Sequence, residues 1–293
     1  MKISKIVTLG GVAGLLSLSS QTFAVEEVNI YSYRQPHLID PMLQVFTNET
    51  GIKVNTVYAK KGMVERIKSE GEHSPADLAL TVDISRLAAL KNAGLLQAVH
   101  SNTLKSNIPT NLRDTDNEWF ALTQRSRVIM ASKRTVPEGA ITTYEQLSDP
   151  DLGYKICMRK GSNAYNISLI ASMVAAHGRD EAKKWLAGVN KNLGRKPQGN
   201  DRAQVGGVIA GECDLAIANT YYFGKMFTGN GGKNPEQIEW AKGVNVIFPN
   251  QEGRGAHINI SGIGLLKHSP NKPNAIRLME WLASDMAQYM YAN

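Results

Sequence analysis

Between residues 26 and 94 the chain alternates short apolar runs with helical segments, and this rhythm restricts the fold more than any single motif. EEVNIYSY reads as a strand, and LIDPMLQVFTNET as a helix stopped by Gly51. IKVNTVYA is a strand and GMVERIKSEG a helix; ADLALTVD is a strand and ISRLAALKNAG a helix. Repeated strand–helix–strand units bury both faces of a sheet, so an α/β fold with a largely parallel sheet is expected. WFALTQRSRVIMAS follows, long enough as a β segment to cross between two domains. A second alternating set runs YKICMR, ISLIASMVAAHG, RDEAKKWLAGVN, RAQVGGVIAG and DLAIAN. VNVIFPN and INISGIGLLKH are two further strand candidates, and a helix around NAIRLMEWLASD ends the pattern. The expected architecture is two α/β lobes joined by crossing strands. The first lobe is expected over 25–125, with about 240–275 returning to it; the second over 126–239, with about 276–293 packing on it.

The first 24 residues stand apart. Lys2 and Lys5 precede the apolar run IVTLGGVAGLLSLSS, and Gln-Thr-Phe-Ala follows with a cleavage point expected after Ala24. That is the layout of a removable export signal, and the run is too short and too interrupted for a membrane anchor. A periplasmic location is expected. Taking 24 residues from 293 leaves 269, a length that suits two domains. With 42% hydrophobic and 20% charged residues the composition is that of a globular protein, which excludes disorder. Loss of Lys2 and Lys5 lowers the net charge from +7 to +5, a balance that suits attraction of anions. Nucleic acid is excluded as a partner, because there is no basic block and no ladder of basic and aromatic residues.

Cys157 and Cys213 are the two cysteines. In an oxidising compartment a disulfide between them is expected; neither has a CxxC partner or clustered His to suggest metal or redox work. The chain lacks HExxH, a phosphate loop with GK[ST] and a GxSxG elbow. GNGGK at 229–233 has no strand before it and no Ser or Thr after it, and reads as a surface loop. The six histidines show no ligand spacing; His37, following the first strand end, is the one nearest a plausible site.

The chemistry therefore rests on tyrosines and arginines. Tyr221 and Tyr222 in CDLAIANTYYFGK stand where a strand hands over to a helix, with Asn219 and Thr220 as a turn or capping pair. Strand ends of this kind are where open α/β sheets bind ligands. Such tyrosines often serve as half-buried core rings. They also offer two hard anionic oxygens to a strongly electropositive ion, and ferric iron fits that description. Tyr31-Ser32-Tyr33-Arg34-Gln35 ends the first strand. Gly161-Ser162-Asn163-Ala164-Tyr165 opens a helix whose N–H groups suit an anion. Gln124-Arg125-Ser126-Arg127 lies in the crossing segment, where arginine serves either as a hinge ion pair or as an anion ligand.

NIYSYRQP, ADLALTVDISRL, WFALTQRSRVI, GSNAYNISL, GECDLAIANTYYFGKM and HINISGIGLLKHSPNKPNAI together resemble the periplasmic ferric-ion-binding proteins of ABC iron uptake. The resemblance is to the subgroup that uses tyrosines with carbonate as a synergistic anion. It implies a two-lobe, type II-like periplasmic binding fold with crossing hinge strands. It implies Tyr165, Tyr221 and Tyr222 as metal ligands, and Arg125 with the Ser162-Asn163 turn at the anion. Arg34 and Gln35 then stand in the first-lobe loop facing the metal. Where relatives often read Arg-His-Tyr, this chain reads Arg34-Gln35-Pro36, which removes a first-lobe His or Tyr ligand at that spot. The implied cargo is Fe3+ with carbonate or bicarbonate, and the implied partner an ABC permease in the inner membrane, the protein itself being a monomer and no enzyme. Similar proteins continue for several tens of residues beyond the position matching Asn293, so a shortened version with exposed apolar surface is the expectation. Two rivals remain open: a same-fold binder of a polyamine, thiamine or phosphate-like solute, and an exported α/β enzyme using Arg125 with a tyrosine. The lack of a nucleophile–His–acid set counts against the enzyme.

Overall fold

A computed structural model describes residues 26–292 of the chain; the leader and its expected cleavage point lie outside them. The first elements are β1 (Glu27–Ser32), α1 (Pro36–Thr50), β2 (Lys53–Tyr58), α2 (Met63–Glu70), β3 (Leu78–Thr81) and α3 (Ile84–Asn92). Next come β4 (Leu96–Gln97), α4 (Asn102–Asn107) and β5 (Trp119–Ser132). The middle of the chain forms β6 (Ile156–Cys157), α5 (Ala164–His177), α6 (Arg179–Lys191), α7 (Asp201–Ile209), β7 (Leu215–Asn219), α8 (Thr220–Phe227) and α9 (Glu236–Lys242). It ends in β8 (Val244–Ile247), β9 (Ile258–Leu266), α10 (Lys272–Leu282) and α11 (Asp285–Ala292). Among the described residues no helix is long and apolar enough to cross a membrane.

Local sequence accounts for the helices. α1 buries Ile39, Met42, Leu43 and Phe46, an i, i+3, i+4, i+7 stripe. Pro36 sits at its start, where the missing N–H costs nothing, and Gly51 closes it at φ 76° with its N–H on Thr47 O. β7 is buried on both faces: Leu215 and Ile217 enter one core, Ala216 and Ala218 another.

The strand order is β2-β1-β3-β9-β5-β7-β6, with β4 on β9 and β8 on β5. β1 runs parallel to β2 and β3, and β6 parallel to β7, while β9 and β5 are antiparallel to their neighbours. The sheet is thus mixed rather than largely parallel. β5 is the cause: residues 119–126 pair with β9, and residues 127–132 go on to pair with β7 and β8. No helix intervenes to turn the chain back, so one strand enters both sheets against the local direction. WFALTQRSRVIMAS is therefore the crossing element, and the molecule has two lobes, one on each half of β5.

Two boundaries in the sequence reading move. β8 pairs with Ile129–Ser132 and belongs to the second lobe, so the return to the first lobe starts with β9 rather than near residue 240. α10 and α11 pack on the first lobe, not the second: Ala275, Leu278, Met279, Leu282 and Ala287 share a core with Val28, Ile30 and Phe46. The α10 stripe repeats at i, i+3, i+4, i+7, and its partner is decided by tertiary fit. Polar clasps reinforce it: Trp281 Nε1 donates to Glu49 Oε2 at 2.7 Å, and Ser101 Oγ to Glu280 Oε1 at 2.5 Å.

Cys157 of β6 and Cys213, just before β7, are bonded to each other, as expected. The bridge closes a loop of 56 residues holding α5, α6 and α7. Replacing both cysteines with alanine should lower the unfolding free energy by on the order of 2–4 kcal/mol. Urea titration checks this: reductant should move the midpoint of the parent protein and leave that of the double variant unchanged.

Candidate metal centre

β7 ends at Asn219, and α8 begins at Thr220 with no side-chain cap from Asn219. That side chain is used elsewhere: its Oδ1 accepts from Arg127 Nη1 at 3.2 Å and its Nδ2 donates to Tyr221 Oη at 3.3 Å. Tyr221 and Tyr222 follow in the first turn of α8, their ring centroids 4.4 Å apart at 38°. α5 delivers Tyr165 in its own first turn, fixed by Asn163 Oδ1 accepting from Tyr165 N at 3.1 Å. Tyr221 Oη donates to Tyr165 Oη at 3.1 Å. Three phenols expected from two distant stretches of sequence thus meet at one spot.

Burial first, then hydrogen bonds to Tyr165 and Tyr222, raises the Tyr221 phenol well above its ordinary value. Burial likewise raises Tyr222. Both are therefore protonated at neutral pH, and Tyr221 still reaches the surface, 37% exposed. Half-buried phenols offer hard donors to whatever can displace their protons.

Arginines surround this cluster from the crossing strand. Arg125, Arg127, Tyr165, Ser168, Asn219, His257 and Asn259 line one cleft. Arg125 Nη2 donates to Val82 O at 2.8 Å and lies 3.6 Å from Asp83 Oδ2. Asn259, on β9, bridges the lobes: its Nδ2 donates to Asp83 Oδ2 at 2.9 Å and to Ser168 Oγ at 3.2 Å. Arg127 lines the same cleft from deeper inside the second lobe and is 2% exposed. It pairs with the fully buried Asp201 at 3.0 Å and donates to Asn166 Oδ1 at 2.8 Å. Arg159 adds a second guanidinium 5.3 Å from the Tyr165 ring centroid.

Other expected residues lie apart from the phenols or are engaged locally. Arg34 donates to Thr123 Oγ1 and Ser261 Oγ at 3.4 and 3.3 Å and lies 5.5 Å over the Tyr291 ring. Gln35 is an exposed residue preceding α1 and makes no side-chain cap. His37 is exposed on the first turn of α1. Ser162 is exposed, and the Asn163 side chain is committed to capping α5. His257 is the histidine of the cleft, and the sequence carried no sign of that. Asn166 and Asp201 escaped notice for the same reason: each is one polar residue near a helix start. Arg127 carried a sign, a cation leading into the apolar run VIMA.

Known proteins resemble this chain over most of its length. The family of bacterial extracellular solute-binding proteins matches residues 34–289. Iron uptake protein A1 of Synechocystis is 45% identical over 91% of this chain and 74% of its own. The crystal structure of Mannheimia haemolytica ferric iron-binding protein A in an open conformation is 48% identical, covering 92% of this chain and 83% of that one, at a TM-score of 0.79. The Trichodesmium IdiA (FutA) structure, in complex with iron and citrate, is 43% identical over 90% and 83%, at a TM-score of 0.82.

The surroundings of His257 set a pH response. Its Nε2 lies 2.8 Å from Ser168 Oγ, and its backbone N donates to Tyr144 Oη at 3.1 Å. Burial first, then the charges of Arg127, Arg125 and Arg254, push the imidazole down to about 4, with Asp83 opposing. Between that value and the ordinary 6.5 the unfolded chain takes up a proton that the folded one refuses. Stability should therefore fall as pH drops through this window, with no contribution above it. Urea midpoints measured at about pH 5 and pH 7.5 should differ less in His257→Gln than in the parent.

Proposed function

The chain belongs to the bacterial extracellular solute-binding protein family, and on that basis we propose that it captures Fe3+ in the periplasm and delivers it to an ABC permease. The observation that carries this reading is the meeting of Tyr165, Tyr221 and Tyr222, with Tyr221 Oη 3.1 Å from Tyr165 Oη. Relatives described as iron-uptake and ferric iron-binding proteins cover the same length of chain and support it.

Fe3+ is small and triply charged, so it prefers anionic oxygens. The three phenols supply them once their protons leave. A carbonate or bicarbonate ion would complete the shell, held by Arg125. Arg125 suits that task because it reaches the cleft while Val82 O and Asp83 fix it from behind. The first lobe supplies no His or Tyr at Arg34-Gln35-Pro36, so the second lobe carries the metal. The lobes are residues 26–126 with 258–292, and 127–257, and closing them about β5 and β9 shields the site. The permease favours the open form and releases the ion. The protein acts as a monomer after the leader is removed near Ala24, binds no nucleic acid and performs no covalent chemistry.

Titration of the mature protein with ferric citrate, with and without bicarbonate, tests this. An orange-red phenolate-to-iron band should appear, and it should weaken in Tyr165→Phe, Tyr221→Phe and Tyr222→Phe. Dependence on bicarbonate identifies the anion; an unchanged band in citrate alone points to citrate in its place. A folded protein that stays colourless would refute the ferric reading.

Proton release fixes a second outcome. Because the Tyr221 and Tyr222 phenols are raised, they hold their protons in the empty protein, and iron must expel them. Affinity should therefore fall as pH drops, by about tenfold per pH unit for each proton released. Competition with a chelator across pH 6–8, by order of magnitude toward three protons, measures the slope.

A further inference from the structure

Around the Arg127 guanidinium the direction of each hydrogen bond is fixed by chemistry. Arginine only donates, so each asparagine that meets it must present its carbonyl oxygen. Asn219 does so at 3.2 Å and Asn166 at 2.8 Å. Their amide nitrogens must then face outward. Asn166 Nδ2 donates to the carbonyls of Arg159 and Lys160 at 2.8 and 3.2 Å, which ties down the turn before α5. Asn219 Nδ2 donates to Tyr221 Oη at 3.3 Å. Tyr221 is thereby an acceptor on that side, and its own proton goes to Tyr165 Oη at 3.1 Å. Tyr165 is bonded through the chain to Asn166, so the path closes on the guanidinium where it began.

We propose that Arg127 is a positioning residue of the tyrosine site: it locks the Asn219 amide so that an N–H always faces the Tyr221 oxygen. This rests on the ferric reading, because the lock acquires a chemical role when that oxygen has lost its proton and binds the metal. A phenolate accepts only, and Asn219 then donates without having to turn. With no guanidinium behind it, Asn219 is free to swing its carbonyl toward the phenolate and repel it. A buried ion pair such as Arg127–Asp201 is seldom the most stable filling of its space, which favours a role beyond stability. Lysine replaces it only in part, since a compact ammonium does not span two asparagines and an aspartate as the planar guanidinium does. Partners behind a metal ligand set both its orientation and its electron density.

The test uses the mature protein, ferric citrate as iron source, and four forms: parent, Arg127→Met, Arg127→Lys and Asn219→Leu. Two quantities are read, the wavelength of the phenolate-to-iron band and iron affinity by chelator competition. Losing the N–H raises the energy of the phenolate electrons, so Arg127→Met and Asn219→Leu should both move the band to longer wavelength. Both should also weaken iron binding by roughly tenfold or more. Arg127→Lys should fall between them and the parent. Asn219→Leu keeps the Arg127–Asp201 pair and removes no helix cap, so it decides the matter should Arg127→Met fail to fold. Parent-like band and affinity in folded Asn219→Leu overturn the positioning role and leave the ferric reading standing. A colourless parent overturns the ferric reading itself, and the proposal with it.

Discussion

One uninterrupted strand belongs to both lobes, and the rest of the molecule is arranged about it. Fourteen residues of β5 pair first with β9 and then with β7 and β8. Side chains alternate along a strand, and the hinge places Arg125 and Arg127 two residues apart on one side of it. They nevertheless do different work. Arg125 lies where the strand leaves the first sheet and reaches the open cleft beside Asp83. Arg127 has entered the second sheet, opposite Asn219 in register, and is buried with Asp201. The change of environment over two residues is a consequence of where the lobes divide.

For the proposed Fe3+ site, neutral, half-buried phenols suit a selective trap. Carboxylates at the same spot would be charged in the empty protein and would attract any divalent cation. Tyrosines with raised values carry no charge until an ion of sufficient charge density displaces their protons, so occupancy is conditional on the kind of ion. The cations beside them, Arg125, Arg127 and Arg159, keep the local field positive and give an accompanying anion something to hold. Asp83 and Asn259 link the first lobe to Ser168 of α5, which also meets His257, so the cleft has a polar seam beside the tyrosine cluster.

The sequence was most legible where local signals agree. The stripe of α1, the Gly51 stop and the βαβ rhythm each follow from residue spacing within a few turns of chain. The crossing strand was legible as well, since a β segment of that length has no place inside one compact lobe. What did not emerge were long-range pairings. The α10 stripe shows that a face is buried and is silent about which core receives it, and the strand directions of β5 and β9 follow from connections rather than composition.

The candidate site divides along the same line. By itself the sequence placed the candidate tyrosines, because a Tyr-Tyr pair at the end of a buried strand and a tyrosine opening a helix are local facts. It determined the disulfide too, since two cysteines in an oxidising compartment leave one pairing. Only the tertiary structure decided that Tyr165 lies against Tyr221, that His257 rather than His37 faces the cleft, and that Arg127 is buried behind Asn219. The physical reason is distance along the chain: residues 56 to 92 positions apart are brought together by sheet register, and a hydrogen bond's direction depends on partners that the local sequence does not contain.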